Sequence, residues 1–165
     1  MTPLRFLGVD PGQAGGLACL DQQGAFASPM PTTERDVWEW LSEISTVGTV
    51  AVIEKVHSMP KQGVASSFKF GKGYGSLLMA LTAVKIPFEL VTPQAWQKFL
   101  GIPKKSPKES KGQFKNRLRA EAQRLFPEME IWEQPRSKGK QLAICDALLI
   151  AEYGRRKHLG VGKRQ

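Results

Sequence analysis

The sequence predicts an α/β fold in which helices flank a mixed five-stranded sheet. Three short apolar strands follow one another at residues 4–10, 15–20 and 25–28. The turns between them are tight, as in an antiparallel meander. Helix-like and strand-like segments then alternate to the end of the chain, which indicates βα units and parallel pairing.

The middle of the chain supplies the next elements. Residues 34–45 place Val37, Trp38, Leu41 and Ile44 on one stripe, which is typical of an amphipathic helix. Residues 49–53 form a continuous β-branched and apolar run, typical of a buried central strand, and the run ends at Glu54. We expect a glycine-punctuated loop over residues 59–75 and a helix that follows it.

The last third continues the βα pattern. A strand is predicted at residues 88–91, and Thr92 and Pro93 then provide an N-cap and a first-turn proline. The segments after it are a loop at 101–112, a basic amphipathic helix at 113–126, a loop at 127–140 and a helix at about 141–154. We expect Trp38, Trp40 and Trp96 to be core residues.

Size and composition limit the class of protein. A chain of 165 residues fits one domain with one hydrophobic core. No apolar run approaches the roughly 18–20 residues that cross a bilayer, and the N-terminus lacks the layout of a signal peptide. The expectation is a cytoplasmic protein without a membrane partner. Two cysteines, Cys19 and Cys145, are too few for a disulfide framework or a zinc site and are expected to be buried thiols.

The net charge of +9 is unevenly distributed. Residues 1–97 carry seven Lys/Arg against eight Asp/Glu, whereas residues 98–140 carry twelve against five. This polarity favours a face that contacts a polyanion, of which nucleic acid is the commonest. A solvated basic surface is the alternative.

Three acidic residues stand next to apolar runs. Asp10 ends the first strand, Glu54 ends the central strand, and Asp146 lies within an apolar helix. Each has a structural alternative. Asp10 could cap a turn, Glu54 could pair with a lysine, and Asp146 could be favoured by the helix dipole. Together they favour a divalent cation, because parallel strands would bring Asp10 and Glu54 side by side. Oxygen ligands without a His or Cys cluster indicate Mg²⁺ or Mn²⁺.

Four segments in order resemble the RuvC family, and in particular its phage-type members. They are GVDPG after a strand, an apolar strand ending in Glu, the segment SSFKFGKGYG and the C-terminal helix DALLIA. The segments VHSMPKQGVASSFKFGKGYG, ELVTPQAWQKFLG and ALLIAEYG carry the likeness to phage-type members. The resemblance implies a ribonuclease H-like nuclease domain over residues 1–156, with a basic, flexible tail at 157–165. It implies a Holliday junction resolvase of DNA recombination and repair, acting in a bacterial host as a homodimer that makes paired symmetrical nicks. Asp10 would bridge two metal ions, with Glu54 on one and Asp146 on the other.

The chain departs from this family at one position. Members usually carry an acid or a histidine three or four residues before the last aspartate, where this chain has Ala143 and Leu142. Glu152, two turns onward, is expected at the surface. A catalytically weak or inactive branched-DNA-binding protein is therefore the alternative. An actin-like phosphotransferase, suggested by DPGQAGG, would need two such domains.

Residues that contact DNA are predicted in three places. Lys115, a phosphate contact by resemblance, lies with Lys111 and Arg119 on the basic helix and its approach. Lys69, Lys72 and Phe68 belong to the glycine-rich segment, where packing in the core or in a dimer is the alternative for Phe68 and Phe70. His57 follows Glu54 where some relatives carry an aromatic residue that enters the junction.

The dimer surface is predicted on the helix around Gly75 to Val84. Its small and apolar residues lie on more than one face. Such a helix either packs wholly within its own domain or buries its second side against a partner.

Overall fold

The computed structural model describes residues 4–56, 63–134 and 138–161 and arranges them as a sheet between two helical layers. The strand order is β3-β2-β1-β4-β5. β1 pairs antiparallel with β2 and parallel with β4. The predicted mixed five-stranded sheet is confirmed. The strands are β1 (Arg5–Asp10), β2 (Gly16–Asp21), β3 (Gly24–Pro29), β4 (Thr49–Glu54) and β5 (Phe88–Val91).

Helix starts follow the capping residues of the sequence. Thr33, Thr92 and Ser110 each accept a hydrogen bond from a backbone N–H of the first turn. In the described ranges no helix has the length and apolar character needed to cross a membrane. The helices are α1 (Glu34–Ile44), α2 (Val64–Ala83), α3 (Pro93–Phe99), α4 (Lys111–Leu125) and α5 (Lys138–His158), with a 3₁₀ turn at Glu130–Glu133.

Two helices are longer than predicted. The segment expected to be a loop up to residue 75 is helical from Val64, so α2 begins twelve residues early. Tyr74, Leu77 and Leu81 fall on one stripe that packs against the sheet, and this packing offsets a cost of about 1 kcal/mol for each helical glycine. α5 likewise runs from Lys138 to His158, beyond the predicted range of 141–154.

Alternation along the strands divides the core in two. Phe6 and Val52 face a cluster with Trp96 of α3, Leu118 of α4 and the buried length of α5. The intervening strand residues face α1 and α2 on the other side. Period-two alternation therefore assigns each strand residue to one helical layer.

The three tryptophans differ in burial. Trp96 is fully buried and Trp40 is partly buried. Trp38 is 49% exposed, so its assignment to the core is wrong. The buried residues of α1 are Leu41 and Ile44, and Trp38 lies beside their stripe.

Gly8 should tolerate no side chain. A Cβ there would lie 2.1 Å from the carbonyl oxygen of Ala147 and 2.3 Å from the amide nitrogen of Ala151. Gly8→Ala must separate β1 from α5, and we expect it to lower the free energy of unfolding by at least about 3 kcal/mol. Urea denaturation measures this. Gly71→Ala is the control: a Cβ there meets nothing within 4 Å, and the helical alanine should stabilise by about 0.5–1 kcal/mol.

Candidate active site

Two carboxylates lie together because they end neighbouring parallel strands. Val9 of β1 is opposite Ile53 of β4, which makes Asp10 and Glu54 the next residues along the ladder. Asp10 is on the same face as Phe6, and Glu54 is on the same face as Val52. Both side chains are therefore on the face that α5 covers.

Asp146 reaches this site because α5 packs unusually close to the sheet. Gly8 contacts the backbone of Ala147 and Ala151, and a Cβ at Gly16 would lie 2.7 Å from the carbonyl oxygen of Ala143. Residues 143–147 are thereby held over the end of the β1–β2 hairpin. Asp146 is 7% exposed.

Glu54 has a fixed partner. The indole Nε1 of Trp96 donates a hydrogen bond of 2.9 Å to Glu54 Oε2. The indole itself is fully buried in α3, the helix that starts at the Thr92 cap directly after β5. A buried donor on a short capped helix thus orients this carboxylate.

Asp146 has two partners. The Nζ of Lys115, on α4, forms an ion pair with Oδ2, and the Cys145 thiol lies 3.3 Å from Oδ1. Burial alone would lower the pKa of Lys115, but the neighbouring Asp146 outweighs it and the pKa is raised. Lys115 therefore stays charged and neutralises one carboxylate.

The rest of the negative charge is not neutralised within the site. Burial, then Asp146 and then Glu54 raise the pKa of Asp10 to about 8, with Lys115 opposing them. Burial also raises the pKa of Glu54 against the hydrogen bond from Trp96, and Asp146 adds to the rise. Three carboxylates and one lysine share a desolvated site, and this arrangement favours added positive charge.

The carboxylates do not enclose a single point. Within the described ranges, no group of three or more His, Cys, Asp or Glu side chains is arranged so that it could hold one metal ion. Asp10 lies close enough to both Asp146 and Glu54 for each of them to raise its pKa.

The positions expected to carry a further ligand are apolar. Ala143 is buried and Leu142 is partly buried. Glu152, expected at the surface, is only 2% exposed, so that prediction is wrong. Arg155 and Arg156 donate hydrogen bonds of 2.6–2.9 Å to its carboxylate, which allows the charge to be buried.

The residues predicted to contact DNA lie in different places. Lys115 is in the site, and Lys111 is exposed at the start of the same helix. The Nε of Arg119 donates a 2.7 Å hydrogen bond to the buried Gln141. Lys69 and Lys72 are exposed on α2, and Phe68 is 74% exposed, so Phe68 is not a core residue. His57 lies outside the described residues.

Two contacts of buried polar side chains, one of them at the site, were missed from the sequence. Trp96 was assigned to the core without its hydrogen bond to Glu54, and Gln141 was not singled out, although its amide donates to the carbonyl oxygens of Ile131 and Gln134. Trp96 gives one signal, since a buried indole N–H generally needs an acceptor. The acceptor itself is set by tertiary packing.

The raised pKa of Asp10 predicts a pH-dependent stability of the metal-free protein. The pKa rises from 3.8 to about 8 on folding, so the folded state binds this proton more tightly than the unfolded chain. The free energy of unfolding should therefore increase as pH falls from above 8 towards 4. Asp10→Asn should raise Tm in chelator at about pH 9 by at least about 2–4 °C, the shift that ~1 kcal/mol gives in a chain of this size.

That gain should shrink near pH 5, where the native Asp10 is already protonated. Asp21→Asn is the matched control, because Asp21 forms an ion pair with Arg5 at 3.5 Å. Removal of this carboxylate charge should not stabilise the protein. Thermal melts of the three proteins at both pH values measure the effect. Equal Tm for native protein and Asp10→Asn at high pH would contradict the predicted repulsion.

Comparison with known proteins places this geometry in a known fold. No protein-family model matches the chain, and no curated protein sequence does. RuvC of T. thermophilus in complex with a Holliday junction substrate is similar in structure: TM-score 0.60, 18% identity, covering 97% of this chain and 98% of that one. Another Thermus thermophilus RuvC structure has a TM-score of 0.53 and 16% identity, covering 97% and 99%. The chain therefore has a ribonuclease H-like fold of the RuvC kind.

Proposed function

We propose that the chain is a divalent-metal-dependent endonuclease that resolves four-way DNA junctions by paired symmetrical nicks. The observation that carries the proposal is the convergence of Asp10, Glu54 and Asp146 at one desolvated site with a single lysine. The RuvC-like fold supports it, because that fold positions these three residues at the ends of β1 and β4 and on α5. Phage origin and action in the bacterial cytoplasm are part of the same proposal.

The residues fit two Mg²⁺ or Mn²⁺ ions. Asp10, Glu54 and Asp146 would hold the ions, and the uncompensated charge that raises the pKa of Asp10 would be neutralised on binding. Bound there, the ions would supply activation of an attacking water and stabilisation of a leaving 3′-oxygen.

The chain's own residues prepare this site. Trp96 fixes the rotamer of Glu54, so that the carboxylate does not have to be ordered when substrate arrives. Lys115 holds Asp146 and places a positive charge beside the site, where it can also meet a phosphate. The close packing of α5 on Gly8 excludes water from the sheet side of the cluster.

Two nicks in one junction require two such sites, and the described part of the chain forms one. We propose a homodimer, because a two-fold symmetric enzyme presents one site to each of two equivalent strands. α2 supplies a suitable surface: Val64 is 87% exposed and Met79 is 63% exposed on a helix that packs against the sheet through Leu77 and Leu81.

A branched-DNA-binding protein with weak or absent nuclease activity is the second candidate. Ala143 favours it, because an apolar side chain stands where relatives carry a further ligand. Binding would then depend on the basic surface alone. The two candidate functions predict the same binding to four-way junctions, but only the first predicts that the junctions are cut.

Asp10→Asn separates the two candidates. We expect it to reduce cleavage of a four-way junction in Mg²⁺ at least about 10³-fold, since several kcal/mol of charge stabilisation are lost. Junction binding should be unchanged or slightly tighter, because one negative charge is removed. Asp21→Asn, at the opposite end of the sheet, should cut at the native rate. Gel assays of cleavage and binding measure both. A native protein that binds junctions without cutting them supports the second candidate.

The basic region predicts how binding depends on salt. Neutralising Lys111, Lys115 and Arg119 together should reduce the slope of log K against log salt by up to about three counterions. Arg119 should contribute least, since its Nε is bonded to Gln141. Lys85→Asn is the control: Lys85 precedes the start of β5, whereas Glu54 lies beside the end of that strand, and asparagine tolerates a φ of 59°. Fluorescence anisotropy between low and physiological salt measures the slope. An unchanged slope in the triple variant would place the DNA surface elsewhere.

A further inference from the structure

The loop that joins α3 to α4 carries three lysines and one acid. It comprises residues 103–110, and we call it the lysine loop. The lysines are Lys104, Lys105 and Lys108, all of them exposed, and the acid is Glu109. Neighbouring like charges repel one another, so a loop of this composition is expected to be extended and mobile unless other contacts hold it.

One arginine of α4 provides such contacts. Arg117 donates to both carboxylate oxygens of Glu109, at 3.1 Å from Nε and 3.0 Å from Nη2. It also donates to the carbonyl oxygens of Pro103, at 2.9 Å, and Lys104, at 3.3 Å. The guanidinium lies over the ring of Phe114, with Cζ 4.9 Å from the ring centroid. One planar guanidinium thus binds both ends of the lysine loop to α4, and we call Arg117 with these hydrogen bonds the clasp.

The end of the loop at α4 is fixed as well. Ser110 and Gln113 form a capping box, in which each side chain accepts a hydrogen bond from the backbone N–H of the other, at 3.1 and 2.8 Å. Within the loop, the N–H of Ser106 donates to Glu109 Oε2 at 3.2 Å. The Glu109 side chain is only 17% exposed, so solvent screens its bidentate ion pair less than it screens a fully exposed one. The acid of the loop is therefore occupied, and the lysines keep their charge for another partner.

The lysine loop lies beside the candidate active site and not within it. Lys115 pairs with Asp146 in the site, whereas Arg117 follows two residues later and points about 200° around α4. Lys104 and Lys108 line an open surface depression of about 570 Å³ together with Arg117. A polyanion that reaches Lys115 can therefore continue across the start of α4 onto this depression.

We propose that the clasp holds the lysine loop in the conformation that binds phosphates of a duplex arm, away from the phosphate that is cut. Because the three charges are in place before the DNA arrives, less conformational entropy is lost on binding. A duplex arm carries one negative charge per about 1.7 Å of axis, so it presents several phosphates to such a loop. Arg117 is a positioning residue, and the lysines make the contacts. The inference rests on DNA binding in the proposed function and does not depend on cleavage.

Glu109→Ala sets the clasp against simple charge. If charge alone mattered, removal of an acid from a DNA-binding surface would tighten binding. Loss of the clasp should instead weaken binding to a four-way junction about five- to thirty-fold, the factor for ordering one further residue on binding. The slope of log K against log salt should be at least as steep as in the native protein, because the three lysines remain. Fluorescence anisotropy in chelator measures both quantities.

Glu121→Ala is the matched control. Glu121 accepts a hydrogen bond of 2.9 Å from Arg124 in an i, i+3 ion pair within α4, so its loss should leave binding unchanged or slightly tighter. Arg117→Lys tests the clasp at constant charge: lysine cannot make the bidentate contact, and binding should weaken at an unchanged salt slope. Arg124→Lys is its control and should bind as the native protein does.

Replacement of the loop lysines shows whether they contact DNA. With Lys104, Lys105 and Lys108 all changed to glutamine, the slope of log K against log salt should fall by up to about three counterions. This variant keeps the hydrogen bonds of the clasp, because Arg117 binds the backbone carbonyl of Lys104 and not its side chain. The slope therefore separates lost contacts from lost order.

Hydrogen exchange of the peptide that covers residues 103–110 measures the order of the loop directly. The N–H of Glu109 donates to the carbonyl oxygen of Ser106 at 3.0 Å in the closed loop. Without the clasp, exchange of this peptide should be faster by a factor similar to the loss of affinity, since both report the opening of the loop. Glu121→Ala should leave it unchanged.

The outcomes distinguish this inference from the proposed function. Three results would each overturn the inference: junction binding by Glu109→Ala as tight as that of Glu121→Ala, exchange of the loop that is no faster in Glu109→Ala, or an unchanged salt slope in the triple lysine variant. In each case, cleavage of junctions by the native protein leaves the proposed function standing. A native protein that binds junctions with the expected dependence on the clasp but never cuts them refutes the proposed endonuclease and supports the inference.

Discussion

The contact between β1 and α5 fixes the rest of the molecule. Because Gly8 has no side chain, the backbone of Ala147 and Ala151 lies directly on the strand. Asp146 is one residue before Ala147, and Asp10 is two residues after Gly8, so the same contact that closes the core sets the spacing of two carboxylates. From Ala143 to Gly154, α5 is continuously buried, and therefore the helix cannot shift to relieve their repulsion. Packing of the apolar core therefore holds together two carboxylates that their mutual repulsion would otherwise separate.

Each carboxylate at this site is held by a different part of the fold. Trp96 comes from α3, which begins directly after β5, and Lys115 comes from α4. Burial and the charges of Asp146 and Glu54 act on Asp10, and together they raise its pKa to about 8 against the opposing Lys115. The cost of that desolvated charge is carried by the metal-free protein and would be removed by cations. A site of this kind lowers the stability of the metal-free protein and provides a position at which cations can bind.

Much of this could be predicted from the sequence, for a physical reason. Two apolar strands that each end in an acid, if parallel and adjacent, bring Asp10 and Glu54 side by side at one edge of the sheet, and an aspartate inside an apolar helix is the third acid that the sequence singles out. Contacts between distant residues could not be predicted in this way. The glycines of α2 indicated a loop, but the packed stripe through Tyr74 and Leu81 outweighs their helix cost. The prediction that Glu152 is exposed was wrong for the same reason. Two arginines, three and four residues onward, pair with its carboxylate and allow the charge to be buried.

The substitution at Ala143 can be judged from charge. Three ionised carboxylates and Lys115 give the cluster a formal charge of −3 + 1 = −2, whereas a further acid would make it −3. Under the proposed function, two divalent cations would bring +4, so the ligands of this chain would neutralise less of the metal charge and the remainder would fall to the phosphate of the substrate. A cluster with fewer acids is less strained without metal and binds metal more weakly without DNA. Charge alone therefore allows an enzyme with this alanine, provided that its ions bind together with the substrate, although the missing ligand favours the binding protein.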